Sequence, residues 1–183
     1  MAPPTRTPPS KWIEEGLRAL AAGGPDAVRV EALARALGVT KGGFYRHFDD
    51  RPALFEEMLD TWERLGVDQV IERVEEGEGD ARDRLRRLFA ITGSTGGLVK
   101  IELAIRDWAR RDKAVAKRMK RIDNRRMDYL RSLFGEFCPD EEAELRSMVA
   151  LSLSVGVPSI TADHGSRRRG ELYASAWERL VGW

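Results

Sequence analysis

The sequence predicts an all-α protein, and three observations carry that prediction. Apolar residues recur three and four positions apart along most of the chain, no stretch alternates as a half-buried strand does, and glycine or proline punctuates the periodic segments. The expected architecture is an N-terminal three-helix head followed by a C-terminal helical bundle, about nine helices in all. Residues 1–9, with four prolines and little that could pack, read as a disordered arm, residues 10–50 as the head, and residues 51–183 as the bundle.

Each element follows from local signals. Ser10 can cap a first helix carrying Ile13, Leu17 and Leu20, which Gly23, Gly24 and Pro25 end. A second runs from Val30 to Leu37 with Leu33, Ala34 and Leu37 on one face, and Gly38 supplies a left-handed stop. Thr40 can cap a third, Lys41 to Phe48, with Phe44 and Phe48 turned inward. Asp50 opens a fourth that tolerates Pro52 in its first turn and extends to Glu76. Asp80 and Asp83 form a capping box for a fifth helix ending near Thr92, and glycines at 93, 96 and 97 make a break. A sixth, Leu98 to Arg111, is apolar over most of its surface and belongs inside. The seventh spans Lys113 to Phe137, the eighth Asp140 to Val157, and the ninth Arg167 to Leu180.

Composition bounds the function. The 183 residues are 42% apolar, enough for a real core, and no apolar run approaches the ~20 residues of a membrane span. The start lacks the apolar stretch of a signal peptide, so the cytoplasm is the expected compartment and a membrane partner is not. One cysteine, Cys138, and two distant histidines, His47 and His164, offer no metal-ligand spacing, and no cofactor is expected. The chain is not a polycation, since 31 Lys and Arg face 30 Asp and Glu. Its first 48 residues nevertheless hold seven basic and four acidic side chains, a local excess of the kind that a nucleic-acid face needs.

Two short helices joined at Gly38-Val39-Thr40, the second rich in small, basic and aromatic residues, have the form of a helix-turn-helix. Leu33, Leu37, Val39, Phe44 and Phe48 would fix the angle between them. Lys41, Gly42, Gly43, Tyr45, Arg46 and His47 are left outward, where small residues admit a close backbone and long ones reach phosphates and base edges. This run, from Leu33 to Leu54, resembles the DNA-binding segment of TetR-family transcriptional regulators, with Tyr45, His47 and Phe48 standing as the family's Tyr-x-His-Phe signature. The resemblance covers roughly residues 10–60. It implies that Thr40 caps and meets a phosphate, that Lys41 meets phosphate or a base edge, that Tyr45 and His47 hold flanking phosphates, and that Arg51 meets the backbone from the start of the fourth helix. Gly42 and Gly43, each costing about 1 kcal/mol in helix propensity, predict a soft recognition helix.

The long C-terminal half is expected to dimerise, to sense a ligand, or both. Helix eight mixes Ala150, Ser152, Ser154 and Gly156 with Met148 and Val155, and helix nine carries Leu172, Tyr173, Ala176 and Leu180. Such small and apolar residues suit a four-helix bundle between two copies, and equally a bundle within one chain. Trp62, Phe89, Ile101, Ile105, Trp108, Met119 and Tyr129 are large enough to line a cavity for a lipophilic or aromatic effector, although such a set also suits a plain core. Arg126 could orient that ligand or pair with Glu102 or Asp107.

The expected function is therefore a non-enzymatic regulator binding double-stranded operator DNA as a homodimer and released by a small effector. The alternatives are an activator or an all-helical protein-interaction module that kept the fold. An all-helical enzyme would need clustered His, Asp, Glu or Cys, and the sequence offers none.

Overall fold

In the computed structural model the described residues, 7–94 and 96–182, form nine α-helices and no strand. These are α1 (Pro9–Gly23), α2 (Val30–Ala36), α3 (Arg51–Glu63), α4 (Gln69–Glu75), α5 (Ala81–Ser94), α6 (Gly96–Ala109), α7 (Lys113–Gly135), α8 (Asp140–Gly156) and α9 (Arg169–Gly182). Of the expected arm, residues 1–6 lie outside the described residues, and Pro9 already begins α1 in place of Ser10. A proline at the first helical position has its φ preset and no N–H to leave unpaired. Gly24 and Gly38, at φ +70° and +67°, end α1 and α2 in a backbone region that side chains avoid. The fifth helix opens on the reciprocal box read from the sequence, with the Asp83 amide donating to Asp80 Oδ1 at 3.0 Å and the Asp80 amide to Asp83 Oδ2 at 3.4 Å.

Three elements depart from expectation. The third helix is a 3₁₀ turn of six residues, Lys41–Arg46, because a glycine pair in so short a run lacks the propensity to sustain α-helix. The fourth is not one helix, since α3 and α4 are joined by a π-helical turn at Arg64–Asp68. The sixth is not an interior helix. Ile105 is its one buried residue, and Lys100 and Asp107 keep parts of its surface exposed.

The chain divides into two compact units, one reaching to Arg64 and including Lys100–Lys117, the other formed by Leu65–Val99 and Arg118 onward. In the first, α1, α2 and α3 close over Trp12, Leu17, Leu20, Leu33, Leu54, Met58 and Trp62. The buried face of α1 begins at Trp12, while Ile13 is only half-buried. A Cβ on Gly16 would lie 2.6 Å from the sulfur of Met58, so only glycine lets α3 settle this closely on α1. Trp108 of α6 packs on Phe55 of α3 with ring centroids 4.7 Å apart.

The second unit has its own core of Leu85, Leu130, Leu133, Phe134, Ala143, Ala150, Trp177, Leu180 and Val181. Arginines finish its helix ends. Arg87 donates to the carbonyl of Val74 at the end of α4 and to those of Gly77 and Glu78 in the loop after it, and Arg82 and Arg146 donate to those of Val181 and Leu180 at the end of α9. Those of Val74, Leu180 and Val181 are carbonyls that a helix leaves without internal partners. Arg84 bridges Glu75 and Glu136, and the Tyr129 hydroxyl donates to Glu75 at 2.6 Å. No single helix among the described residues is long and apolar enough to cross a membrane.

Candidate nucleic-acid interface

The recognition turn is held from beneath by aromatic packing. Phe44 is fully buried, meets Trp12 edge-on at 5.5 Å and stacks on Phe48 at 5.1 Å between ring centroids. Because Phe44 and Phe48 point inward, the intervening positions must point out, and Tyr45, Arg46 and His47 are exposed together with Thr40, Lys41 and Gly42. Gly43 is half-buried, and a Cβ there would lie 3.6 Å from the Trp12 ring, an ordinary contact. Its absence brings the backbone close to Trp12 without strain.

The polar side chains are positioned individually. Thr40 stands at the N-cap with extended backbone, but its hydroxyl makes no capping bond, so the expected capping role falls to its carbonyl, which accepts from the Gly43 amide at 2.9 Å. Lys41 pairs with Glu31 of α2, and its ammonium lies 6.0 Å from the centre of the Tyr45 ring. That pairing holds the Glu31 carboxyl below its ordinary value and the Lys41 ammonium above its own, so both are charged at neutral pH. The His47 Nε2–H donates to the Thr7 carbonyl at 3.0 Å, which fixes its tautomer and ties the chain ahead of α1 to this face. Tyr45, at 55% exposure, is the one large aromatic side chain among the exposed apolar residues of the described chain.

Arg51 is placed differently from what the resemblance implies. It is half-buried, its Nε donates to the Val28 carbonyl at 2.7 Å and another nitrogen to the Pro25 carbonyl, and its guanidinium lies 4.8 Å from the Phe55 ring centre. A guanidinium satisfied by two carbonyls and an aromatic face is a clamp on the loop between α1 and α2. Sequence periodicity could not show this, because the acceptors are backbone groups more than twenty residues away.

The residues expected to line an effector cavity do not form one set within either unit. Trp62, Ile101, Ile105 and Trp108 belong to the first, and Phe89, Met119, Arg126 and Tyr129 to the second. Phe89 stacks against Tyr173 and Trp177 in the core, Tyr129 is bonded to Glu75, and Arg126 lies 3.9 Å from Asp123 and 3.4 Å from the Gly66 carbonyl. Glu102 and Asp107, the partners expected for Arg126, form pairs with Arg106 and Arg111 one turn away.

On α8, Met148 and Ser152 are exposed, as is Leu145 at 59%, which the sequence reading passed over. Val155, Leu172, Tyr173 and Ala176 are half-buried, whereas Leu180, expected at an interface, is buried in the core of its own unit. An open groove of about 490 Å³ runs beside Pro139, Glu141, Glu144, Leu145 and Met148.

Comparison with known proteins agrees with this geometry. Residues 13–58 match the family model of bacterial regulatory proteins, tetR family, a span containing most of α1, α2, the recognition turn and the start of α3. No curated protein matches the chain significantly. Among solved structures, a transcriptional regulator from Rhodococcus sp. Rha1 superposes with a TM-score of 0.70 at 19% identity, over 96% of this chain and 95% of that one. AibR in complex with isovaleryl coenzyme A and operator DNA gives 0.70 at 17% identity, covering 95% and 96%. The ketosteroid transcriptional regulator KstR2 of Mycobacterium tuberculosis gives 0.68 at 17%, covering 97% and 95%. At such identities the likeness is one of fold.

Proposed function

We propose that this chain, whose residues 13–58 match the model of bacterial regulatory proteins of the tetR family, is a regulator of that family, a sequence-specific DNA-binding repressor that works as a homodimer and is released by a small effector. A regulatory protein of this family is not an enzyme. The observation that carries the reading is the outward face Thr40, Lys41, Gly42, Tyr45, Arg46 and His47, set on the Trp12, Phe44 and Phe48 clamp. Lys41, Arg46 and Tyr45 supply donors for phosphates and base edges, His47 stands beside them, and the glycines allow the backbone to approach a groove. Arg51 serves that face indirectly, by holding the loop that orients α2.

A second copy is supported by α8. Leu145, Met148 and Val149 are all exposed, at spacings that put them on one side of the helix, and such an apolar stripe is costly to leave in water. Two heads joined through α8 and α9 would meet successive major grooves of a palindromic operator. An effector is supported by the fold shared with a protein captured with isovaleryl coenzyme A and operator DNA.

Footprinting on the DNA upstream of the chain's own gene tests the reading. A protected palindrome whose affinity falls by roughly 10³ to 10⁵ between 50 and 200 mM salt is the expected result for six to ten phosphate contacts. Equal retention of unrelated duplexes, with no protected site, would sink it. Met148→Arg should sediment as a folded monomer and lose most operator affinity, because an unpaired charge would enter the proposed interface.

A further inference from the structure

We infer that Glu31 is a specificity-determining residue of the DNA-binding face, acting by denying Lys41 to phosphates. The inference rests on the DNA-binding reading above and deepens it. Lys41 is the first residue of the recognition turn, Glu31 lies in the first turn of α2, and their ion pair joins the two elements across the side that is open to solvent. Both side chains are at least half exposed, at 50% for Lys41 and 62% for Glu31, so the pair stands where DNA would arrive. An acid at a helix N-terminus also interacts well with the helix dipole, but that alone would not require it to reach ten residues along the chain to Lys41.

A phosphate approaching the Lys41 ammonium would have to displace the carboxylate or share the cation with it, and in either case two anions end up within a few ångströms. A guanine edge, offering neutral N7 and O6 acceptors, meets no such repulsion and can take a remaining Lys41 N–H while Glu31 keeps its own. The pair thus withholds one cation from the sequence-independent attraction and leaves it available to bases. Because every duplex offers phosphates and only some sequences offer the right edge, the carboxylate raises the ratio of specific to non-specific affinity without adding a contact.

The test uses the full chain and two duplexes, one selected by the wild-type protein from a random-sequence pool and one a shuffled version of the same composition. E31Q should bind the shuffled duplex about three- to tenfold tighter and the selected one within about twofold, and its slope of log affinity against log salt on the shuffled duplex should steepen by about 0.9 for each added phosphate contact. In a K41Q background the same change should do nothing to the ratio, which separates action through Lys41 from an effect on the α2 dipole. An unchanged ratio in E31Q, weaker binding to both duplexes, or an equal effect of E31Q with and without Lys41 would overturn the inference while leaving the DNA-binding reading in place. A wild-type chain that enriches no sequence from the pool removes both.

Discussion

The two units are held together by different physics. The first relies mainly on shape, with Trp12, Phe44 and Phe48 in ring contact and Gly16 admitting Met58, and Arg51 clamps one loop. The second adds to its apolar core a set of arginines that finish helix ends, Arg87 at the end of α4 and Arg82 and Arg146 on α9. On the outward face of the first unit Lys41 and His47 are engaged with Glu31 and the Thr7 carbonyl, whereas arginine capping consumes donors inside the second.

The contrast is broken most sharply by Phe44→Ala. Removing a fully buried ring from a site that cannot collapse onto the turn should cost about 3–5 kcal/mol and show as a large fall in melting temperature. Loss of less than about 1 kcal/mol would mean that the clamp does not hold the first unit. Arg146→Met, next in size, keeps the apolar stem in the second unit but takes the donor from the Leu180 carbonyl. It should cost about 1–3 kcal/mol by denaturant titration, with α9 amides exchanging faster.

Tyr129→Phe should be milder, about 0.5–1.5 kcal/mol for the hydrogen bond to Glu75. Its pH dependence is diagnostic. Burial, and then the bond to Glu75, raise the folded hydroxyl's pKa far above the ordinary tyrosine value. The unfolded chain thus gives up this proton first, near pH 10, and the stability contributed by Tyr129 is complete below that value and drains away above it. Wild type should lose stability more steeply than Y129F in alkali, and parallel curves would show that the hydroxyl is not bonded in solution. The smallest effect is expected for Gly42→Ala, where a Cβ would meet only the Thr40 hydroxyl at 3.8 Å. Lower unfolded-state entropy should stabilise the chain by about 0.4–1 kcal/mol, with slower amide exchange from Tyr45 to His47.

Helical periodicity made α1, α2, α5 to α9 and the outward run from Thr40 to His47 legible, because alternation between inward and outward positions is written in every turn, but it read α3 and α4 as one helix and the 3₁₀ turn as another. The Asp80 and Asp83 box and the stop at Gly38 were equally plain, since their bonds close within a few residues. What escaped was the long-range use of arginine. Nothing around Arg51 distinguishes a phosphate contact from a bond to Val28 and Pro25, and nothing around Lys41 announces Glu31. Trp12 was available to the same spacing argument that chose Ile13, since it shares a face with Gly16 and Leu20. A glycine on that face disguised it as polar surface.

The π-turn at Arg64–Asp68 settles a problem of phase. Leu54, Met58 and Trp62 step by four, then Val67 follows five residues on, and Val70 and Val74 resume the rhythm. In a regular helix, five residues would leave Val67 about 140° round from Trp62. The wider turn absorbs the surplus like a leap day. Excising a single residue from that turn would return the step from Trp62 to the next buried valine to four, and an ordinary α-helix would then keep the buried positions in phase.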